Sequence, residues 1–194
     1  ESMSRKYKNF LDFFSASRYI FYEKYIHSHP EVKYIFFSDD DSLILKNPFE
    51  LLKKDPEKVH LMQDPLPFSV YGDCNAFWLR SWNSVSKSKK KSCGMNILNQ
   101  SLRSASINKA FPWNSGLMMG KSQNLLPICS LIAKFFSCVG MFSYNSEQGL
   151  LNYIRFAGHL DKFLSNIQTH TYKTGKFISC PDYIPFQNFS TKIK

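Results

Sequence analysis

Three adjacent carboxylates, Asp39, Asp40 and Asp41, follow directly on the run Val32-Lys33-Tyr34-Ile35-Phe36-Phe37 and Ser38. The run is β-branched and aromatic, short for a helix and nearly continuous in hydrophobicity, which is the pattern of a strand covered on both faces. Carboxylates repel one another and resist burial, so a triplet in this place needs abundant water or a cation. Side chains alternate along extended backbone, so Asp39 and Asp41 point one way and Asp40 the other. Two carboxylates converging just past a buried strand make an incomplete site for a hard divalent cation, with water and substrate phosphates completing the shell. Manganese and magnesium both suit oxygen ligands of this kind. The same triplet could equally form a solvated acidic turn. Its position favours a site, because ligands of open α/β sheets bind outside the carboxyl ends of the strands.

The elements that must position these residues are legible in outline. From Tyr7 to His27 the apolar residues Phe10, Leu11, Phe14, Phe21, Tyr22, Tyr25 and Ile26 recur at helical offsets, and His29-Pro30 ends the pattern. A helix, a short loop and a buried strand in succession are the signature of an α/β layer. Val59-His60-Leu61-Met62-Gln63 reads as the next strand. Residues 64–92 carry prolines, tryptophans and a lysine block, and read as a long irregular excursion over one face. Residues 94–109 could form a helix. Trp113 to Gly120 reads as a turn running into a short apolar strand, in which Met118 and Met119 are core. Leu125 to Val139 is a strongly apolar helix ended by Gly140; Asn145 or Ser146 caps another from Leu150 to Gly158. A last strand over Lys176–Cys180 opens an irregular tail over 177–194. The whole chain reads as one domain.

With those elements in place, Tyr34 to Leu51 resembles the Asp-x-Asp segment of nucleotide-sugar-dependent glycosyltransferases of the GT-A fold. Trp113-Asn114-Ser115-Gly116 is similar to that family's Asn-Ser/Ala-Gly strand, and Glu147-Gln148-Gly149-Leu150-Leu151-Asn152 to its Asp-Gln-x-x-x-Asn helix start, in the family's order. The resemblance implies a GT-A-like, Rossmann-like mixed sheet with flanking helices, shortened at the N-terminus because the chain begins at the helix before Asp-x-Asp. It implies a UDP- or GDP-sugar donor, a divalent cation (Mn2+ or Mg2+) held by Asp39 and Asp41, and transfer to a hydroxyl of a glycan, protein or lipid acceptor. Asn114, Ser115 and Gly116 would lie near the donor sugar, where glycine permits close approach of a ligand. Glu147 and Gln148 would line the sugar pocket from a helix start and form the catalytic pair, with Glu147 the base if the reaction inverts. Arg18 would contact the nucleotide, and His170 would be the late histidine that ligates the metal. Asp40 counts among the substrate-binding residues. Trp78 and Trp82, in the excursion, are where acceptor sugars would stack.

Composition bounds the rest. The chain has 194 residues, 43% of them apolar, enough for one sizeable core, with a net charge of +10. Much of that charge lies in Lys87 to Lys91 and after Lys173, as lysine blocks in solvated loops do, so no nucleic-acid partner is expected. No run of 18 apolar residues and no export-signal core appears, so a membrane would be met only through a segment outside this chain. The five cysteines show no metal spacing and suggest free thiols or at most one or two bridges in an oxidising lumen. Two sequons, at Asn99 and Asn188, fit such a compartment, the Golgi or endoplasmic reticulum, with the cytoplasm as the alternative. Two rival readings remain: a non-catalytic, degenerate transferase-like domain, and a metal-dependent phosphoesterase or nuclease. The second would need more acidic or histidine ligands than the sequence offers.

Overall fold

The structure is a computed structural model that describes residues 17–39, 47–64, 66–68, 74–98, 102, 104–140 and 147–170. Helix α1 covers residues 17–28, and the amide of His29 closes its last turn on the Tyr25 carbonyl before Pro30. Strand β1 is Tyr34–Ser38 and β2 is Val59–Gln63. Helices α2 (Cys74–Ser84), α3 (Lys87–Ser92) and α4 (Ala105–Asn108) precede strand β3 (Trp113–Lys121). Helix α5 (Ser122–Val139) follows β3 without a loop, and α6 (Glu147–Phe156) and strand β4 (Ile167–His170) complete the set.

The strands form one mixed sheet in the order β1-β3-β2-β4. Strand β3 runs antiparallel to both neighbours and β4 runs parallel to β2, so β1, β2 and β4 share a direction and end at one edge. The alternation along the strands sorts the core into two faces. Ile35, Phe37, Leu61 and Met118 join the large cluster built with α1, α2, α5 and α6, while Met62, Met119 and Leu52 form a small one on the other side with Tyr34 and Phe36. Met118 and Met119 are both fully buried, as expected of core residues.

Three expectations need correction. The excursion at 64–92 contains two helices, because Ala76, Leu79 and Trp82 recur at helical spacing and pack inward against the main core. Among the described residues of the expected helix at 94–109 only Ala105–Asn108 is helical, and the chain turns at Gly94, which has φ of 71°. Trp82, placed among acceptor contacts, is fully buried against Phe136 with ring centroids 5.7 Å apart. An enclosed indole cannot stack on a sugar.

A disulfide joins Cys93, just after α3, to Cys138 near the end of α5, while Cys74 and Cys129 are free thiols. The cross-link spans 45 residues and so restricts the unfolded chain. Helix α5 is long and apolar enough to cross a membrane by length and composition, yet half of it is buried in this fold, where it serves as the central core helix. The expected strand at 176–180, the cap at 145–146, Cys180 and both sequons lie outside the described residues.

Candidate functional site

The site lies at the shared carboxyl edge of β1 and β2, and an irregularity in β3 creates it. Leu61 faces Met118 but Gln63 faces Trp113, so β3 spends extra residues between those two pairs. The segment in excess contains Asn114, Ser115 and Gly116. Such bulges re-aim side chains out of the regular ladder, and they recur beside active sites. On the other side the Asp39 amide donates to the Gly116 carbonyl at 2.9 Å, which holds the end of β1 against the bulge.

Around this bulge the three segments singled out in the sequence meet. Arg18, from α1, donates through Nη1 to Asp39 and through Nη2 to Glu147 Oε1 at 2.7 Å and to Ser115 Oγ at 3.4 Å. Ser115 Oγ also donates to Glu147 Oε1 at 3.3 Å, and the Ser115 amide donates to Gln148 Oε1 at 3.1 Å. Gln148 Nε2 donates to Asp64 Oδ2 at 2.8 Å and to the Asn75 side-chain oxygen. Asp64 closes the network, accepting from Asn75 at 2.7 Å and from Asn114 at 3.0 Å. Thus Arg18, Asp39, Asn114, Ser115, Glu147 and Gln148, named from widely separated stretches, form one connected polar cluster.

Neighbouring residues fix it in place. Tyr19 donates its hydroxyl to the Ser115 carbonyl at 2.7 Å. Asn152 binds both backbone groups of Trp113, accepting from the amide and donating to the carbonyl, each at 2.9 Å, so α6 grips the start of β3. Burial works against the Arg18 charge, but Tyr19, Glu147 and Asp39 outweigh it and leave the guanidinium more strongly basic than a free arginine. Burial likewise pushes the Tyr19 phenol well above its ordinary value, so it serves as a neutral donor. Arg18 Nε is buried without a partner.

Sequence reasoning missed Asp64 and Asn75. A signal for Asp64 was present: like Asp39, it is an acid immediately after a buried strand, and in the sequence a proline follows it. Asn75 gave none, because it depends on how α2 packs.

Other expected residues stand elsewhere. His170 lies on β4, across the sheet from β1, and its Nε2 is 2.9 Å from Nδ1 of His60 on β2. The strand register puts it on the face of Met62, opposite the face that carries Phe37, so the structure does not bring it to Asp39. Burial lowers the pKa of both imidazoles, which favours the neutral forms that can share one hydrogen bond. His159, just past the end of α6, accepts from the Asn96 amide at 2.8 Å. Trp78 is half-buried and lies against Gly149 of α6. Asp40 and Asp41 lie outside the described residues.

No family model, curated protein or solved structure matches the chain. Its chemistry must come from the site itself.

Among the described residues no group of three or more His, Cys, Asp or Glu side chains could hold a metal ion. Asp39 alone fits one position in such a shell. Its side chain is 36% exposed, and one carboxylate offers about four lone-pair directions, so the contact with Arg18 leaves capacity for a hard cation. Gly116 makes the seat: a β-carbon there would overlap the Asp39 carboxylate. Gly116→Ala should cost only about 1 kcal/mol, since the obstructing group is the end of a side chain, while it drives Asp39 off Arg18. Urea melts would report the small loss, and manganese titration the larger loss of any Asp39-dependent binding.

Proposed function

We propose that the chain is a GT-A-like glycosyltransferase domain that moves a sugar from a UDP- or GDP-sugar to a hydroxyl acceptor. The observation that supports this reading most is the convergence of the Asp39, Asn114-Ser115-Gly116 and Glu147-Gln148 segments in one cluster at the carboxyl edge of the parallel strands. Those are the segments that resemble the family, and a random set of motif matches has no reason to meet. The edge is also where α/β sheets receive ligands.

In this reading Asp39 and Asp41 hold a divalent cation, which would offset the charge that builds on the departing diphosphate. The chain's own polar groups do the remainder. Arg18 supplies fixed positive charge beside the phosphates, and Asn114, Gln148 and Asp64 offer donors and acceptors to sugar hydroxyls. Glu147 is 8% exposed and held by Arg18 and Ser115, so it acts here by positioning those two groups. The disulfide supports an oxidising compartment such as the secretory lumen.

One observation favours the non-catalytic alternative: Arg18 already pairs with both Asp39 and Glu147. Thermal-shift titration separates the two. Stabilisation by UDP or GDP that requires manganese, and that Asp41→Asn abolishes, is expected of the transferase. A shift with DNA and none with metal and nucleotide would sink it. Release of free UDP or GDP from a sugar donor then distinguishes turnover from binding alone.

A further inference from the structure

Arg155, in the last turn of α6, has an unusual environment for a charged group. Its guanidinium lies 4.5 Å from the ring centre of Trp113 and 4.9 Å from that of Phe156. Its hydrogen bond goes from Nη1 to the Phe111 carbonyl at 2.9 Å, and it forms none of the ion pairs found among the described residues. A guanidinium carries five N–H donors, so most of them lack a protein acceptor among the described residues. Burial alone pulls its pKa down to about 10, with no carboxylate pushing back. The indole N–H of Trp113 is also buried with no acceptor. Among the described residues this corner therefore holds more donors than acceptors, and no carboxylate pairs with its positive charge.

Its placement adds meaning. Trp113 immediately precedes Asn114 of the polar cluster, and one residue of extended chain advances only about 3.3 Å. The segment carrying Leu66 runs beside 110–112, with the Asp64 amide on the Pro112 carbonyl at 2.9 Å and the Phe68 amide on the Ala110 carbonyl at 3.1 Å. Leu66 and Phe111 are 51% and 38% exposed, which leaves an apolar rim beside the guanidinium. Apolar sugar faces pack on such a rim.

We propose that Arg155 forms a subsite for an oxyanion substituent, a carboxylate or sulfate ester, on the acceptor saccharide, with Phe111 and Leu66 against the sugar ring. The proposal rests on the transferase reading for the word acceptor, but the binding step needs neither donor nor metal. Arginine fits because its planar fork matches an oxyanion in two parallel hydrogen bonds.

The test uses the full chain and measures binding of three oligosaccharides that differ only at the terminal residue: glucuronic acid, 6-sulfated glucose and glucose. The wild type should bind one of the anionic forms about tenfold more tightly than the neutral one, the size of one charge-assisted hydrogen bond. Arg155→Gln should reduce that ratio to near one while leaving neutral-sugar affinity within about twofold. Which arm gains identifies the anion as carboxylate or sulfate. Should Arg155→Gln fail to fold, phenylglyoxal labelling of Arg155 in the wild type replaces it, and the anionic sugar should slow labelling several-fold where the neutral one does not. Equal affinity for all three sugars, or discrimination that survives Arg155→Gln, overturns the proposal. Donor binding is scored separately with manganese and UDP, so a failed donor site and a failed Arg155 subsite give different results.

Discussion

Replacing Arg18 by methionine should lower the unfolding free energy by about 3 kcal/mol, the lower part of the range for removing one partner of a buried ion pair. The reduction from the full range reflects exposure. The Arg18 and Glu147 side chains are 18% and 10% exposed, whereas Asp39 is 36% exposed and partly screened by water. Methionine keeps an unbranched stem and removes the guanidinium, whose carbon lies 5.5 Å from the Tyr19 ring centre, so the loss reports the charged head more than apolar volume. Glu147 then keeps only the Ser115 hydroxyl as a described partner at its Oε1. Adding Glu147→Leu should recover most of the deficit, because the cost lies in an uncompensated buried carboxylate and not in a missing attraction. Urea melts of the two single variants and the double variant provide the cycle. A double variant no more stable than Arg18→Met alone would show that Arg18 supports the fold some other way.

This pair also shows what the sequence could convey and what it could not. The triplet at 39–41 posed a charge problem, and the sequence suggested a cation as its solution. The structure adds a nearer one: Arg18, twenty-one positions earlier, reaches Asp39 from α1. The helix and strand that hold them were legible because hydrophobic periodicity is local. The pairing was not, since it depends on the angle at which α1 crosses the sheet. Asn114, Ser115 and Gly116 were legible as a segment, but the irregular register that frees them from the ladder is a relation between β3 and β2. His170 illustrates the opposite case. Its residue type suited metal ligation, yet the strand order places it three positions from β1, beside His60. The two helices at 74–92 were hidden by composition: lysines and serines on the outer face of α3 gave the appearance of loop, although Ser86 caps that helix through the Lys89 amide at 3.3 Å.

The second large effect should come from Gly149→Ala, a change of one methyl group on α6. A β-carbon there would stand 2.7 Å from Trp78 Cβ and 2.9 Å from both the carbonyl carbon and oxygen of Trp78. Two of those three atoms are backbone, so no rotamer change relieves the overlap and α2 and α6 must move apart. Overpacking of a dense core costs typically 1–3 kcal/mol, and a backbone obstruction belongs at the upper end, about 3 kcal/mol, even though alanine is the better helix former. The displacement has a second consequence because α2 carries Asn75 and α6 carries Gln148, which meet each other and Asp64. Separating the helices pulls at both ends of that contact, so Gly149→Ala should lose ligand-induced stabilisation together with stability. The reciprocal change separates the two causes. Trp78→Ala removes the whole indole but leaves the backbone and Cβ at that position, so in combination with Gly149→Ala it should rescue little. Substantial rescue by Trp78→Ala would mean that the indole, not the close approach of the backbones, sets the spacing between these helices.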